Sequence, residues 1–267
     1  MPKETYLDRL DVMEKAKALV KSAYACASNN QNAAFENFIK WYELYRGVQS
    51  HKNYQGRANL FVPEAYTNIE HVQARVIRSF VGAKALPEGK DDVEKSKGVT
   101  KLLDYQTRLY QFDRAFKDVS KDARIYGTGF GKVSWSFQKN KKDGHPMIEA
   151  VDPLAYYFDP SATSRQDSAF EIHRVERTLS QLKKNPNYKN LKNLQISQSA
   201  AKSAWETRRD AVTGKAALEI QGKIEVLEFW GKFAPEEDGD EEEFLITLAG
   251  NETVIRLEKN PYLEMAV

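Results

Sequence analysis

Apolar residues recur at intervals of three and four through the first half of the chain, a spacing that predicts amphipathic helices. The pair Asn29–Asn30 interrupts the first of these patterns and predicts a helix end. Pro63 suits the first position of a later helix, and Gly82 suits its end. The predicted helices cover residues 4–28, 31–46, 63–81 and 93–125. Their apolar stripes are expected to face a core, and the stripe of the 93–125 helix is the most regular.

Alternation replaces helical spacing after Gly127. Val133, Trp135 and Phe137 alternate with polar residues, so a strand is expected with these side chains facing the core. Asp143–Gly144 is typical of a hairpin turn. Further strands are predicted at 147–151, 154–158, 170–175, 223–233, 244–248 and 253–257. The pattern therefore predicts an α+β fold, in which N-terminal helices, one of them long, precede antiparallel strands and a further C-terminal β section.

Composition narrows the class of protein. The chain has 267 residues, of which 41% are hydrophobic and 11% aromatic, so it is long enough to bury a core. Its one cysteine, Cys26, excludes an intramolecular disulfide and a cysteine-rich zinc site. No apolar run approaches the length of a membrane span, and the charged N-terminus does not fit an export signal. No contact with a membrane is expected.

Local charge is uneven although the formal net charge is only +2. Lysines cluster at 139–142 and at 183–192, and residues 236–243 are acidic except for Gly239. Such runs are typical of solvated loops. For the acidic run, the alternative is that it contacts a partner protein. Its residues are Glu236, Glu237, Asp238, Asp240, Glu241, Glu242 and Glu243.

Catalytic patterns are missing from the sequence. The stretch Gly127–Lys132 has the composition of a phosphate loop, but a helix is predicted before it and a strand after it, the reverse of the order that phosphate binding requires. We therefore expect Gly127 and Gly129 to form a tight turn at positive φ. The four histidines have no metal-ligand spacing. No enzyme, no cofactor and no metal is predicted.

Several short segments, in their order and spacing over residues 59–262, resemble portal proteins of tailed bacteriophages, in particular those of short-tailed phages. They include Asn59–Pro63, Tyr126–Gly129, His173–Arg174 and Glu225–Gly231. The positions that carry the motif are Pro63, Tyr126, Gly127, Gly129, Trp135, Asp152, Pro153, Asp159, Pro160, Asn260, Pro261 and Tyr262.

The resemblance implies a structural subunit of the portal ring, a dodecamer in the family, at one vertex of the virion capsid. Such a ring is the conduit for DNA packaging and ejection, and it is assembled in the host cytoplasm. It meets the terminase, capsid or scaffold proteins and neck or tail adaptors, and double-stranded DNA passes without tight binding. The low net charge agrees with a channel in which DNA slides.

The pattern along the chain and the resemblance together predict a division into four parts. Residues 1–126 are expected to form the helical region of the portal wing and 127–178 its antiparallel β region. A helical or partly disordered connector is expected over 179–215. Residues 216–267 are expected to form a truncated, clip-like β section. Because portal proteins continue well beyond the Asn260–Tyr262 segment, the chain is expected to be an N-terminal fragment.

Two other functions remain open from the residues. One is a nucleic-acid-binding module that combines the lysine clusters with Tyr156, Tyr157 and Trp205 as stacking partners. The other is a nucleotide-using enzyme built on Gly127–Lys132. A nucleic-acid-binding module would bind DNA as a monomer, and its binding would be sensitive to salt. A nucleotide-using enzyme would be stabilised by nucleotide.

Overall fold

The computed structural model describes residues 6–48, 62–79, 82–137, 144–164, 167–194, 203–213, 222–236, 239–250 and 252–261. Its helices are α1 (Leu10–Arg46), α2 (Glu64–Ser79), α3 (Val93–Leu109), α4 (Phe112–Tyr126), α5 (Leu179–Leu182) and α6 (Ala204–Thr213). Its strands are β1 (Phe130–Ser136), β2 (His145–Val151), β3 (Tyr156–Phe158), β4 (Phe170–Thr178), β5 (Lys223–Phe233), β6 (Glu242–Ala249) and β7 (Thr253–Lys259). The predicted α+β class is confirmed, with the long helix first and antiparallel strands after it.

Helix α1 is continuous, so the predicted break at Asn29–Asn30 is wrong. Its buried positions keep a spacing of four through this pair, from Ala27 to Gln31 and Phe35. The Asn30 side chain donates a hydrogen bond of 2.8 Å to the carbonyl oxygen of Cys26, one turn earlier. Burial of one face thus outweighs the weak helix preference of asparagine. No helix in the described ranges combines the length and the apolarity that crossing a bilayer requires.

The long helix predicted over 93–125 is two helices, because the chain leaves helical geometry between α3 and α4. Gln111 has φ 55°, in the left-handed region, and precedes the first residue of α4. The expected core-facing stripe is also wrong at four positions, since Val99, Leu102, Leu109 and Phe116 are exposed. Helix α3 has no buried residue at all.

The two glycines after α4 have different roles. Gly127 has φ 77° and ends the helix in the left-handed region, as predicted. The prediction of positive φ is wrong for Gly129. A glycine is needed at this position for a different reason. A β-carbon there would overlap the carbonyl oxygen of Val119 and lie 3.1 Å from the backbone nitrogen of Ala123. Gly129 therefore allows the backbone to pass directly against α4.

The chain divides into two compact units. We call residues 1–37 together with 154–267 the sheet unit, and residues 38–153 the hairpin unit. Helix α1 contributes residues to both. The four-part division at 126, 178 and 215 stays a prediction.

The sheet unit contains one antiparallel sheet with the strand order β3-β4-β5-β6-β7. Its first face packs against α1, where the rings of Tyr24 and Phe35 meet the ring of Tyr157 in β3 at 4.8 and 5.6 Å. About one turn before Tyr24 in α1, the Lys21 ammonium lies 2.7 Å from the carboxylate of Glu252, which precedes β7. The helix thus contacts the sheet near both of its edges.

Residues 179–194 cover the second face of this sheet. A buried cluster forms there from Leu182, Ile224, Val226, Ala249 and Ile255, with Tyr188, Leu191 and Leu194 packed against it. The edge of β7 is closed by the same segment, because the backbone nitrogen of Lys189 donates to the Ile255 carbonyl oxygen at 2.8 Å. Both faces of the sheet are consequently covered by other parts of the unit.

The hairpin unit combines the C-terminal end of α1 with α2, α3, α4 and the antiparallel pair β1–β2. Polar contacts tie its helices together. Glu70 of α2 accepts a hydrogen bond of 2.6 Å from the Tyr45 hydroxyl and lies 2.7 Å from the ammonium of Lys121 in α4. The Gln73 side chain donates to the Lys117 carbonyl oxygen at 2.8 Å.

Candidate assembly surfaces and a buried ion-pair network

The motif residues at the start of the hairpin unit are mostly structural. Pro63 lies one residue before α2, and its carbonyl oxygen accepts a hydrogen bond of 3.0 Å from the Thr67 backbone nitrogen. Tyr126 is 4% exposed and belongs to an apolar cluster with Tyr45 and Ile125. Its ring stacks on that of Tyr42 at 6.2 Å.

The two Asp-Pro pairs flank the first strand of the sheet unit. Pro153 opens the short 3-10 turn Pro153–Ala155, in which Leu154 is fully buried. Asp159 follows β3 and accepts hydrogen bonds from the hydroxyl and the backbone nitrogen of Ser161, at 2.7 and 2.9 Å, and from the Ala169 nitrogen at 3.2 Å. The bonds from Ser161 and Ala169 hold the pKa of Asp159 below its usual range. This carboxylate therefore closes the loop between β3 and β4.

A buried ion-pair network centres on Arg174 in β4, whose side chain is only 3% exposed. Its guanidinium lies 2.6 Å from the carboxylate of Glu206 in α6 and pairs also with Glu225 in β5. Burial alone would raise the pKa of Glu206, but the charge of Arg174 and hydrogen bonds from Ser203 outweigh it and lower the pKa. The network holds α6 against the sheet by charge, since α6 has no buried residue.

The role of Glu206 at the start of α6 could have been predicted from the sequence. Ser203 and Glu206 form the pattern S-x-x-E before a helix, and each side chain bonds the other's backbone nitrogen, at 3.2 and 2.8 Å. The pairing of Glu206 with Arg174 had no such local pattern, because 32 residues separate the two.

His173, the neighbour of Arg174, points to the opposite face of the sheet. Its Nδ1 lies 3.6 Å from the carboxylate of Glu228, which also accepts a hydrogen bond of 3.5 Å from the Tyr188 hydroxyl. Burial raises the pKa of Tyr188, and the nearby negative charge of Glu228 adds to this effect. Residues 173 and 174 are thus both buried, and they anchor different elements to the sheet.

The hairpin unit carries most of the large apolar side chains that are exposed in the described ranges. Sixteen of the eighteen large apolar side chains that are exposed in the described ranges lie in this unit. Val133 is 72% exposed and Trp135 is 50% exposed, so the expectation that Trp135 faces the core is wrong.

The acidic run lies in the sheet unit, around the turn from β5 to β6. Glu236 lies 3.4 Å from Arg9, Glu242 pairs with Lys259, and Glu243 accepts a hydrogen bond of 3.2 Å from the Asn260 side chain. Asp240 and Glu241 are exposed. The described lysines of the second cluster, 183, 184, 189 and 192, are exposed as well. Their role as a partner contact stays a prediction.

Some predicted residues lie outside the described ranges. They are Tyr262, Glu237 and Asp238, the lysines at 139–142, Asp143 and the segment 59–61. Within the described ranges, no group of three His, Cys, Asp or Glu side chains has a metal-binding arrangement. Tyr157, which the nucleic-acid alternative would use for stacking, is 2% exposed, so that assignment is wrong.

Comparison with known proteins relates the C-terminal part of the chain to one family. The model of a phage portal protein family matches a segment that contains all five strands of the sheet unit, so the resemblance to phage portal proteins is confirmed and supports a structural role. The family is that of the phage SU10 portal protein, whose model matches residues 136–267. The motif positions before residue 136 lie outside this match and stay predictions. No curated protein matches the chain significantly.

Proposed function

We propose that the chain is a subunit of the portal ring at one vertex of the phage capsid. The ring would be the conduit for DNA packaging and ejection, and would dock the terminase and the neck or tail adaptors. One observation carries the proposal: the match to the portal family covers the whole five-stranded sheet, β3 to β7. The exposed apolar surface of the hairpin unit supports self-association of such a subunit.

The proposal predicts the shape and the mass of the particles that the purified chain forms in solution. Negative-stain microscopy of the purified chain, combined with sedimentation velocity, should give closed rings with one main subunit number and a central channel. Binding to double-stranded DNA should be weak, because the net charge of +2 offers few cations for phosphates. Monomers that bind DNA tightly at low salt and release it at high salt would instead support the nucleic-acid-binding alternative.

We also infer that the acidic run contacts a basic surface, either on an adaptor or on the lysine cluster 183–192 of a neighbouring subunit. The intramolecular pair of Glu236 with Arg9 is a weak competitor, since the two side chains are 72% and 36% exposed. Asp240 and Glu241 are exposed as well and offer further negative charge to a partner.

Replacing Glu236, Glu237, Asp238 and Glu241 with Gln or Asn should weaken assembly or adaptor binding more at low salt than at high salt. The reason is that exposed charges are screened beyond about 10 Å at 0.1 M salt. Sedimentation of variant and parent chain, with and without adaptor, across a salt series measures this effect. Equal association at every ionic strength would show that the run is a solvated loop.

A further inference from the structure

Helix α6 is attached to the sheet unit through polar groups. None of its residues is buried, whereas Leu182 of α5 is 1% exposed and lies in an apolar cluster. Glu206 of α6 pairs with Arg174 of β4 at 2.6 Å, and the Trp205 indole nitrogen donates a hydrogen bond of 3.3 Å to the Asn32 side chain in α1. Charge and hydrogen bonding therefore contribute more to the docking of α6 than apolar burial does.

The guanidinium of Arg174 is shared between two carboxylates. Its Nε donates a hydrogen bond to Glu225 in β5, and its Nη1 donates one of 2.6 Å to Glu206 in α6. The side chains of Glu206 and Glu225 are only 16% and 18% exposed, so water screens their mutual repulsion poorly. The two carboxylates thus compete for one buried guanidinium.

Four charged side chains on this face of the sheet balance one another without Glu206. Glu176 pairs with Glu225 directly across the ladder, and directly paired residues share a face. Arg174 lies two residues from Glu176 along β4 and so faces the same way. The Lys223 ammonium lies 2.9 Å from the carboxylate of Glu176. Two cations of the sheet thus match two of its carboxylates, and Glu206 adds a third carboxylate when α6 docks.

We propose that α6 is a releasable element, which exchanges between a state docked on Arg174 and an undocked state in which Arg174 keeps Glu225 as its partner. A buried ion pair gives little net stabilisation, because the cost of removing both charges from water offsets their attraction. Losing one partner normally leaves a buried charge uncompensated, but here Glu225 remains on the guanidinium. The sheet therefore need not unfold when α6 is released. This inference concerns the fold of a single subunit and goes beyond the proposed function.

Two conservative variants test the competition, because it predicts opposite effects for them. Glu206→Gln removes the charge that Arg174 attracts, yet glutamine can still accept the capping hydrogen bond from the Ser203 backbone nitrogen. Hydrogen exchange of the α6 amides, measured by mass spectrometry on the full chain, should become at least about tenfold faster. Glu225→Gln removes the competing charge, so the same amides should exchange at least about threefold more slowly than in the parent chain.

Amides of β5 and β6 serve as the reference for global unfolding, and all chains are compared at one pH, salt and protein concentration. Glu252→Gln is the matched control, because it removes a carboxylate that pairs with Lys21 at 2.7 Å. Lys21 lies about three turns of α1 before Asn32, the residue that α6 contacts. Exchange in α6 should be the same in this control as in the parent chain.

Each other outcome contradicts the proposal. Exchange of the α6 amides that is unchanged or faster in Glu225→Gln would mean that the two carboxylates do not compete. Unchanged exchange in Glu206→Gln would mean that other contacts hold α6. Equal acceleration of α6 and β5 in Glu206→Gln would mean that α6 leaves only when the sheet unfolds. None of these results depends on whether the chain forms rings, so the proposed function is tested separately.

Discussion

Replacing Arg174 with Met is expected to lower the free energy of unfolding by about 3–5 kcal/mol, because the carboxylates of Glu206 and Glu225 would then lie partly buried without a cation. The two carboxylate side chains are 16% and 18% exposed, so water solvates them poorly. Urea denaturation followed by far-UV circular dichroism, at fixed protein concentration, measures this loss.

A surface arginine provides the control for the loss of charge alone. Arg9 lies 3.2 Å from Asp11 and 3.4 Å from Glu236, and its side chain is 36% exposed. Arg9→Met should therefore leave the free energy of unfolding almost unchanged. Adding Glu206→Gln and Glu225→Gln to the Arg174 variant should restore much of its stability, since the unpaired charges are removed. A loss at Arg174 no larger than at Arg9 would contradict the buried network.

Acid provides a second readout of the same network. The pKa of Glu206 in the folded protein lies below its ordinary value of 4.5. A carboxylate whose pKa is lowered by folding stabilises the fold at pH values above 4.5. This stabilisation is lost as the pH falls from 4.5 through the pKa of Glu206 in the folded protein. The parent chain should therefore lose more stability in this acid range than Arg174→Met, in which the cation that lowers the pKa is missing.

The helical regions were predicted, but two of their internal boundaries were wrong. Asn29–Asn30 predicts a break from local preference, whereas α1 continues because Ala27 and Gln31 bury the same face. The break at Gln111 is the converse case, since the apolar pattern of 93–125 runs through it while the backbone does not. Burial against a distant strand supports the first outcome, since Phe35 packs on Tyr157 of β3, and a local pattern does not contain that information.

Exposure of the apolar stripes was not predictable either. The spacing of Leu102, Tyr105 and Leu109 indicates a helix with one apolar face, and Val133 with Trp135 indicates a strand with one. Periodicity identifies such a face but does not tell whether its cover comes from the same chain or from another. For this reason the expectation of buried positions failed mainly in the hairpin unit.

The strands of the sheet unit were predicted well, and its buried charges were not. Strand β5 begins and ends at Lys223 and Phe233, as the pattern predicts. The resemblance singled out His173–Arg174, but alternation along a strand implies that one of two neighbours is exposed. Both are buried, because this sheet is covered on both faces.

Replacing Tyr157 with Ala is expected to lower the free energy of unfolding by about 3–5 kcal/mol, the usual range for removal of a fully buried aromatic ring. The Tyr157 ring is 2% exposed and meets the rings of Tyr24 and Phe35 edge to face. Tyr24 and Phe35 are separated by about three turns of α1, so they project from the same side of the helix. Urea denaturation measures the loss.

Tyr157→Phe separates the ring from its hydroxyl. That hydroxyl makes only a long hydrogen bond of 3.4 Å to the Leu154 carbonyl oxygen in addition to its contact with Tyr24, so its removal should cost no more than about 1.5 kcal/mol. Because Tyr157 is the point at which α1 meets β3, the Ala variant should also speed amide hydrogen exchange in the part of α1 between Tyr24 and Phe35, and the Phe variant should not. Equal exchange in both variants would mean that α1 is held to the sheet elsewhere, by contacts such as the pair of Lys21 with Glu252.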